Sequence, residues 1–146
     1  MQANFAQGGI KVKLIPGDAK QAIGKYRARQ HDIFIGEWSP DYMDPNSNAR
    51  GFAWNPDNSD NAKHKLLAWR NGWDVPQLTA KTDAALAEPS TAKRAQEYQA
   101  LQKAVLANSP FVIMFEKVVQ VATRPGVTGP EIGPINDLVS YRTLKK

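Results

Sequence analysis

The stretch FIGEWSPDYMDP, residues 34–45, decides the fold because it runs from an apolar strand directly into a polar turn. Its first half carries three large apolar residues, Phe34, Ile35 and Trp38. Its second half carries two prolines and two carboxylates, and the aromatic Tyr42 lies between the carboxylates. A turn at this point would need only Gly or Asn. A carboxylate and aromatic rings at the end of a strand therefore indicate a surface that meets a ligand.

The segments before this stretch predict a strand–helix–strand unit. Residues 10–15 alternate apolar and basic side chains, which is typical of a half-exposed strand. Asp18 is the predicted N-cap of the following helix, and residues 32–38 are the second strand. Strands of such a unit are parallel, with a right-handed crossover, and ligands bind beyond their carboxyl ends. Asp41 and Tyr42 lie just past such an end.

The rest of the chain predicts a long loop, three helices and a return to strands. Residues 44–64 are rich in Asn, Asp, Ser, Pro and Gly and predict the loop. Asp74, with Gln77 three residues later, predicts a capping box for the second of these helices. The further predicted elements are a helix end at Gly8 or Gly9, helices around residues 62–70, over 76–87 and over 89–109 with a stop at Pro110, strands over 111–115 and 118–122, and a final strand within 135–146.

Composition places the chain among single-domain soluble globular proteins. It has 146 residues, of which 42% are hydrophobic and 23% are charged, so residues 1–146 are predicted to form one domain. No apolar run approaches the roughly 20 residues that span a bilayer. The absence of cysteine excludes disulfides and thiol chemistry. The first residues lack the basic and apolar regions of a secretory signal.

Two other kinds of site have less support in the sequence than a ligand pocket. The net charge of +5 invites a nucleic-acid interpretation, but the basic residues are scattered and have few aromatic neighbours that would stack on bases. A metal site would have to combine His31 and His64 with Asp32 or Asp60, which lie in different predicted elements. We therefore predict no metal, no cofactor and no nucleic-acid partner.

The two carboxylates of the opening stretch suggest different roles. Asp44 precedes a proline, where an Asp usually bonds its own backbone. Asp41 follows the strand end beside Trp38 and Tyr42, and a carboxylate there pairs with a ligand's ammonium group while the rings add apolar walls and cation–π attraction. Trp54 is also predicted to bind the ligand, because indoles are concentrated around the long loop. A paired Asp41–Asp44 acid–base site is the enzymatic alternative.

Several motifs together resemble one family. They are GGIKVKL at 8–14, DIFIGEWSPDYMDP at 32–45, a helix carrying Arg94, Tyr98 and Gln102, the Ser109-Pro110 stop before an apolar strand, and the Val127-x-Gly129 turn. This order and spacing is similar to the C-terminal lobe of family 5 extracellular solute-binding proteins, the peptide- and nickel-binding receptors of ABC importers. The resemblance implies an α/β fold, namely one lobe of a type II periplasmic-binding-protein-like fold with a mixed sheet flanked by helices.

The resemblance also implies a function without catalysis. Asp41 corresponds to the acidic residue that meets the α-amino group of a peptide in the peptide-binding members, and Trp38 and Tyr42 would line the cleft. The expected partners are an oligopeptide or another amine-bearing solute, an ABC importer permease and an N-terminal lobe that this chain lacks. The expected location of the full-length protein is the periplasm or the cell surface. A single lobe is also expected to self-associate through uncovered apolar surface. The alternatives are a small enzyme that uses Asp41 and Asp44, and a basic nucleic-acid-binding domain.

Overall fold

The computed structural model describes residues 1–133 and 139–146, which separate into two compact units, residues 1–34 and 35–146. The single domain expected over residues 1–146 stays a prediction. The final strand expected within residues 135–146 lies partly outside the described residues. The described elements are α1 (Gln2–Gln7), α2 (Ala19–Arg27), α3 (Pro45–Ala53), α4 (Leu67–Arg70), α5 (Pro76–Ala87), α6 (Thr91–Asn108), β1 (Glu131–Ile132) and β2 (Val139–Ser140).

The first unit holds α1 and α2, and both helix ends confirm the sequence predictions. Helix α1 is followed by Gly9, whose φ of 78° is the left-handed conformation that glycine adopts without strain. Helix α2 begins after Asp18, whose side chain accepts a hydrogen bond of 2.8 Å from the backbone N–H of Gln21. The buried Tyr26 of α2 stacks on Phe34 with ring centroids 4.0 Å apart.

The predicted strands at residues 10–15 and 32–38 form neither helix nor paired strand. A strand is stable when a neighbour completes its hydrogen bonds, and no such neighbour occurs among the described residues. The stretch 32–38 is instead anchored by its aromatic residues: Phe34 packs on Tyr26 in the first unit and Trp38 on Phe52 in the second. The type II binding-protein lobe accordingly stays a prediction.

The second unit is built mainly from helices. Ala85 of α5 packs with Tyr98 and Leu101 of α6 in a buried cluster, and Ala49 of α3 and Leu78 of α5 lie against it. The predicted boundaries of α5 are confirmed, as is the long helix before Pro110, which appears as α6 with Ser90 as its N-cap. A short helix within residues 62–70 is confirmed as α4.

Two local predictions in this unit are wrong. The capping box of α5 does not form, because the helix begins after Val75 and no side chain caps it. The expected loop over residues 44–64 contains helix α3, whose first residue is Pro45. Proline suits that position because its fixed φ matches the helix and its missing N–H would have no partner there. The expected Asp44–backbone bond does form, but it caps this helix: Asp44 Oδ1 accepts from Asn46 N at 2.8 Å.

The C-terminal residues form a small antiparallel pair. Strand β1 pairs with β2 so that Glu131 lies opposite Ser140 and Ile132 opposite Val139. The apolar segments 111–115 and 118–122, predicted to be strands, have no paired neighbour in the described part of the chain. Across that part, none of the helices has the length and apolar character that crossing a bilayer requires.

Candidate functional site

The segment around Asp41 is attached to the first turns of α3 by three hydrogen bonds. Their partners are the consecutive α3 residues 46–48, two of which are buried. A buried polar side chain needs a hydrogen-bond partner, so these residues favour the attached conformation of the segment. The bonds run from Trp38 Nε1 to Asn48 Oδ1 (2.9 Å), from the Asp41 backbone N–H to Ser47 Oγ (3.1 Å) and from Asn46 Nδ2 to the Tyr42 hydroxyl (3.2 Å).

Asp41 has a fixed backbone and an open side chain. Its N–H is bound by Ser47, whereas no hydrogen bond or ion pair engages its carboxylate among residues 1–133 and 139–146. The residue is exposed. A carboxylate held at its base and without a protein partner at its tip can accept a cation without first breaking an internal bond.

Trp38 and Tyr42 flank Asp41 in the sequence and are held on the same helix. Trp38 is 37% exposed and Tyr42 is 47% exposed, so each ring is partly covered and partly open. One edge of the Trp38 ring lies against Gly51 of α3, where an added Cβ would come within 3.2 Å of Cζ2. It also forms a T-shaped pair with Phe52, with ring centroids 5.7 Å apart. The structure thus brings three of the four predicted ligand-binding residues onto α3.

Trp54, the fourth predicted ligand-binding residue, has different surroundings. It is 7% exposed, and its indole N–H donates to Asp83 Oδ1 at 2.9 Å. The Arg50 guanidinium lies 4.2 Å from the ring centroid, and the His64 ring meets it edge-on at 5.2 Å. These contacts fix Trp54 between α3 and α5, and its role in ligand binding stays a prediction.

Asp44 is fully engaged, in contrast to Asp41. Arg94 of α6 donates from Nη1 to Oδ2 at 3.0 Å and from Nη2 to Oδ1 at 2.8 Å. The bonds from Arg94 and from the Asn46 N–H favour the charged form and hold the pKa of Asp44 below its ordinary value of 3.8. Asp44 is therefore ionised at neutral pH, which is unsuited to a general acid.

The sequence motif includes Arg94 and Tyr98, but it gives no sign that these residues support the Asp41 segment. Tyr98 of α6 accepts from Arg94 Nη2 at 3.3 Å and donates to Asn46 Oδ1 at 3.3 Å. Burial raises the pKa of Tyr98, so its hydroxyl stays protonated and able to donate. Arg94 and Tyr98 are four residues apart on one helix, a spacing that places side chains side by side. Their partners in α3 are 50 and 52 residues distant, and no sequence pattern indicates such pairing.

A row of aromatic rings continues from Trp38. Phe52 meets Phe111 at 5.0 Å between centroids, and Phe111 meets Trp73 at 6.1 Å, both edge-to-face. Aromatic pairs at these distances stabilise one another beyond the area that they bury. The Trp38 ring is therefore supported from behind by a packed aromatic group.

The described residues do not assemble a metal centre. Within residues 1–133 and 139–146, no three His, Asp or Glu side chains lie close enough together to hold an ion. His64, a candidate ligand in the sequence, packs against the Trp54 ring in a T-shaped pair.

Comparison with known proteins gives one relative. The chain is 30% identical over 149 aligned residues to the probable D,D-dipeptide-binding periplasmic protein DdpA of Escherichia coli (strain K12). The alignment covers 99% of this chain and 27% of the relative's length. No family model matches the chain, and no solved structure matches it. The chain is thus similar along nearly its whole length to one part of a periplasmic binding protein.

Proposed function

We propose that this chain supplies one wall of the ligand cleft of a solute-binding receptor of an ABC importer. The receptor is periplasmic or on the cell surface, and the chain forms a type II lobe of it. The ligand is an oligopeptide or a related solute with a free amine. The similarity to a D,D-dipeptide-binding periplasmic protein supports the class of ligand. The remaining wall belongs to a second lobe, and the closed receptor delivers its ligand to a membrane permease.

One observation carries the proposed role of Asp41. Its backbone is bound to α3 while its carboxylate has no partner among the described residues. An ammonium group placed there forms a charge-assisted hydrogen bond, and the exposed parts of Trp38 and Tyr42 offer apolar and cation–π contacts beside it. The enzymatic alternative has less support, because Asp44 is held ionised by Arg94.

Replacement of Asp41 by Asn in the complete receptor tests the proposal. The exchange keeps the size of the side chain and removes its charge, so binding of a dipeptide with a free α-amino group should weaken by about 1.5–3 kcal/mol. That corresponds to roughly 10- to 150-fold in Kd, measured by titration calorimetry. The N-acetylated dipeptide should bind weakly to both proteins.

Asp57→Asn is the matched control. Asp57 is also exposed, and its Oδ1 accepts from the Ser59 N–H, a bond that Asn can keep. This variant has the same net charge as Asp41→Asn and should bind the dipeptide as the unchanged receptor does. Equal affinity of Asp41→Asn and the unchanged receptor for the free amine would refute the anchor.

A further inference from the structure

Four residues at the start of α3 and on α6 form a closed ring of hydrogen bonds. Asp44 accepts two bonds from Arg94, Arg94 donates to Tyr98, and Tyr98 donates to Asn46. The ring closes where the Asn46 backbone N–H donates to Asp44 Oδ1 at 2.8 Å. Each member thus has two neighbours in the ring, and the loss of one member leaves those two neighbours incompletely bonded.

The ring joins two elements that are distant in the sequence. Asp44 and Asn46 belong to the start of α3, whereas Arg94 and Tyr98 belong to α6. Asn46 is 6% exposed and Tyr98 is 7% exposed, so their bonds lie in a low-dielectric environment where polar interactions are strong and unpaired groups are costly. A bidentate arginine–carboxylate pair also fixes direction, since its two parallel bonds resist rotation.

We infer that Arg94 is a positioning residue for Asp41 and acts through this ring. The side-chain amide of Asn46 donates to the Tyr42 hydroxyl, and the hydroxyl of the next residue, Ser47, accepts from the Asp41 N–H. The ring therefore fixes the turn of α3 to which Asp41 and its neighbour are attached. Because Arg94 pairs with Asp44, the Asp41 carboxylate remains available for an external cation. This inference rests on the proposed function, because the affinity that it explains is that of the amine site.

The test replaces Arg94 by Gln and by Lys in the complete receptor. Arg94→Gln removes the fork and the charge, and it should weaken binding of the free-amine dipeptide by roughly tenfold or more, since small misplacements of a binding group have effects of that size. Arg94→Lys keeps the charge without the two parallel bonds and should fall between Arg94→Gln and the unchanged receptor. Arg142→Gln, at an exposed arginine outside the ring, makes the same change in net charge and should leave the affinity unchanged.

Hydrogen exchange distinguishes a positioning role of Arg94 from a general contribution to the stability of the fold. In Arg94→Gln, peptides covering residues 38–44 should exchange faster, while peptides from the core part of α6, residues 99–106, should keep their protection. Loss of protection in both regions would show general destabilisation and would overturn the inference. Arg94→Lys serves in the same way if Arg94→Gln does not fold.

The binding results separate this inference from the proposed function. If Asp41→Asn weakens binding of the free amine as expected but both Arg94 variants bind normally, the positioning role is refuted and the anchor stands. If the unchanged receptor binds the free and acetylated dipeptides equally, the proposed function fails, and the inference about affinity fails with it.

Discussion

The carboxylates of Asp41 and Asp44, three residues apart, have opposite surroundings. Asp44 caps α3 and accepts two bonds from Arg94, whereas Asp41 is bound, among residues 1–133 and 139–146, through its backbone N–H alone. A paired carboxylate stabilises the fold, and an unpaired one on a fixed backbone is available to a ligand. The environment of each residue, and not its type, thus separates a structural acid from a candidate binding acid.

Tyr98→Phe measures how strongly the ring stabilises the fold. The change keeps the buried aromatic ring but removes the hydroxyl, which leaves the buried Asn46 Oδ1 without its donor. The free energy of unfolding should fall by about 1–2 kcal/mol, measured by urea denaturation. Tyr141→Phe is the matched control: Tyr141 is 69% exposed, so loss of its hydroxyl should have little effect. Equal effects of the two exchanges would contradict the role of the ring.

The lowered pKa of Asp44 should make the stability of the fold depend on pH. Its folded pKa is lowered, chiefly by Arg94 and then by the Asn46 N–H, so its stabilising contribution is complete above its ordinary value of 3.8 and is lost as the pH falls through the folded pKa. Asn at this position can still cap the helix but cannot form the ion pair. The stability difference between the unchanged chain and Asp44→Asn should therefore be larger at pH 6 than at pH 3, by urea denaturation. A difference that is equal at both pH values would exclude the ion pair as its source.

At the scale of elements, the sequence predicts the helices far better than the strands. Helix α2, with Asp18 as its N-cap, and helix α5 depend on residues within their own length, so local patterns are sufficient. The stretch 32–38 has the composition of a strand, but a strand depends on partners elsewhere in the chain. Helix α3 was missed because Asp-Pro is typical both of a turn and of a helix start.

In the candidate site, too, the sequence predicts the features that depend on local patterns and misses those that depend on tertiary contacts. Asp41 was identified from its position after an apolar stretch beside aromatic residues, which is a local pattern. The role of the residues that hold it could not be predicted, because Arg94 meets Asp44 across 50 residues of sequence and this contact exists only after α3 and α6 pack together. Tertiary hydrogen bonds of this kind leave no periodic signal.

Replacement by alanine should have opposite effects at two helical glycines, one in α2 and one in α3. Gly24 of α2 has open space around its missing Cβ, so Gly24→Ala should stabilise its helix by about 0.5–1 kcal/mol. Gly51 of α3 lies under Trp38, where a Cβ would approach Cζ2 to 3.2 Å, so Gly51→Ala should displace the ring and disturb its bond to Asn48. The indole N–H resonance of Trp38 in an NMR spectrum should shift in Gly51→Ala and stay in place in Gly24→Ala. An unmoved resonance in Gly51→Ala would mean that the ring does not rest on α3.

At the scale of the whole molecule, the apolar segment 111–121 has the character of a strand without a sheet. Val112 is 83% exposed, and Phe115 and Val118 are each 79% exposed. Its backbone finds no paired neighbour among the described residues. The chain spans 27% of the length of the relative that it matches. An uncovered apolar strand tends to pair with another copy of itself.

The isolated chain of 146 residues is therefore expected to self-associate through this segment. Burial of large apolar side chains between copies, together with strand pairing, should give concentration-dependent oligomers in sedimentation velocity experiments. Val112→Glu combined with Phe115→Glu places charges in that contact and should shift the chain toward monomer. Leu14→Glu combined with Ile15→Glu is the control, since these residues are 61% and 67% exposed and lie in the other unit. If both double variants dissociate the oligomer equally, the association does not depend on segment 111–121. If the unchanged chain stays monomeric at all concentrations, the exposed segment is tolerated in water without a partner.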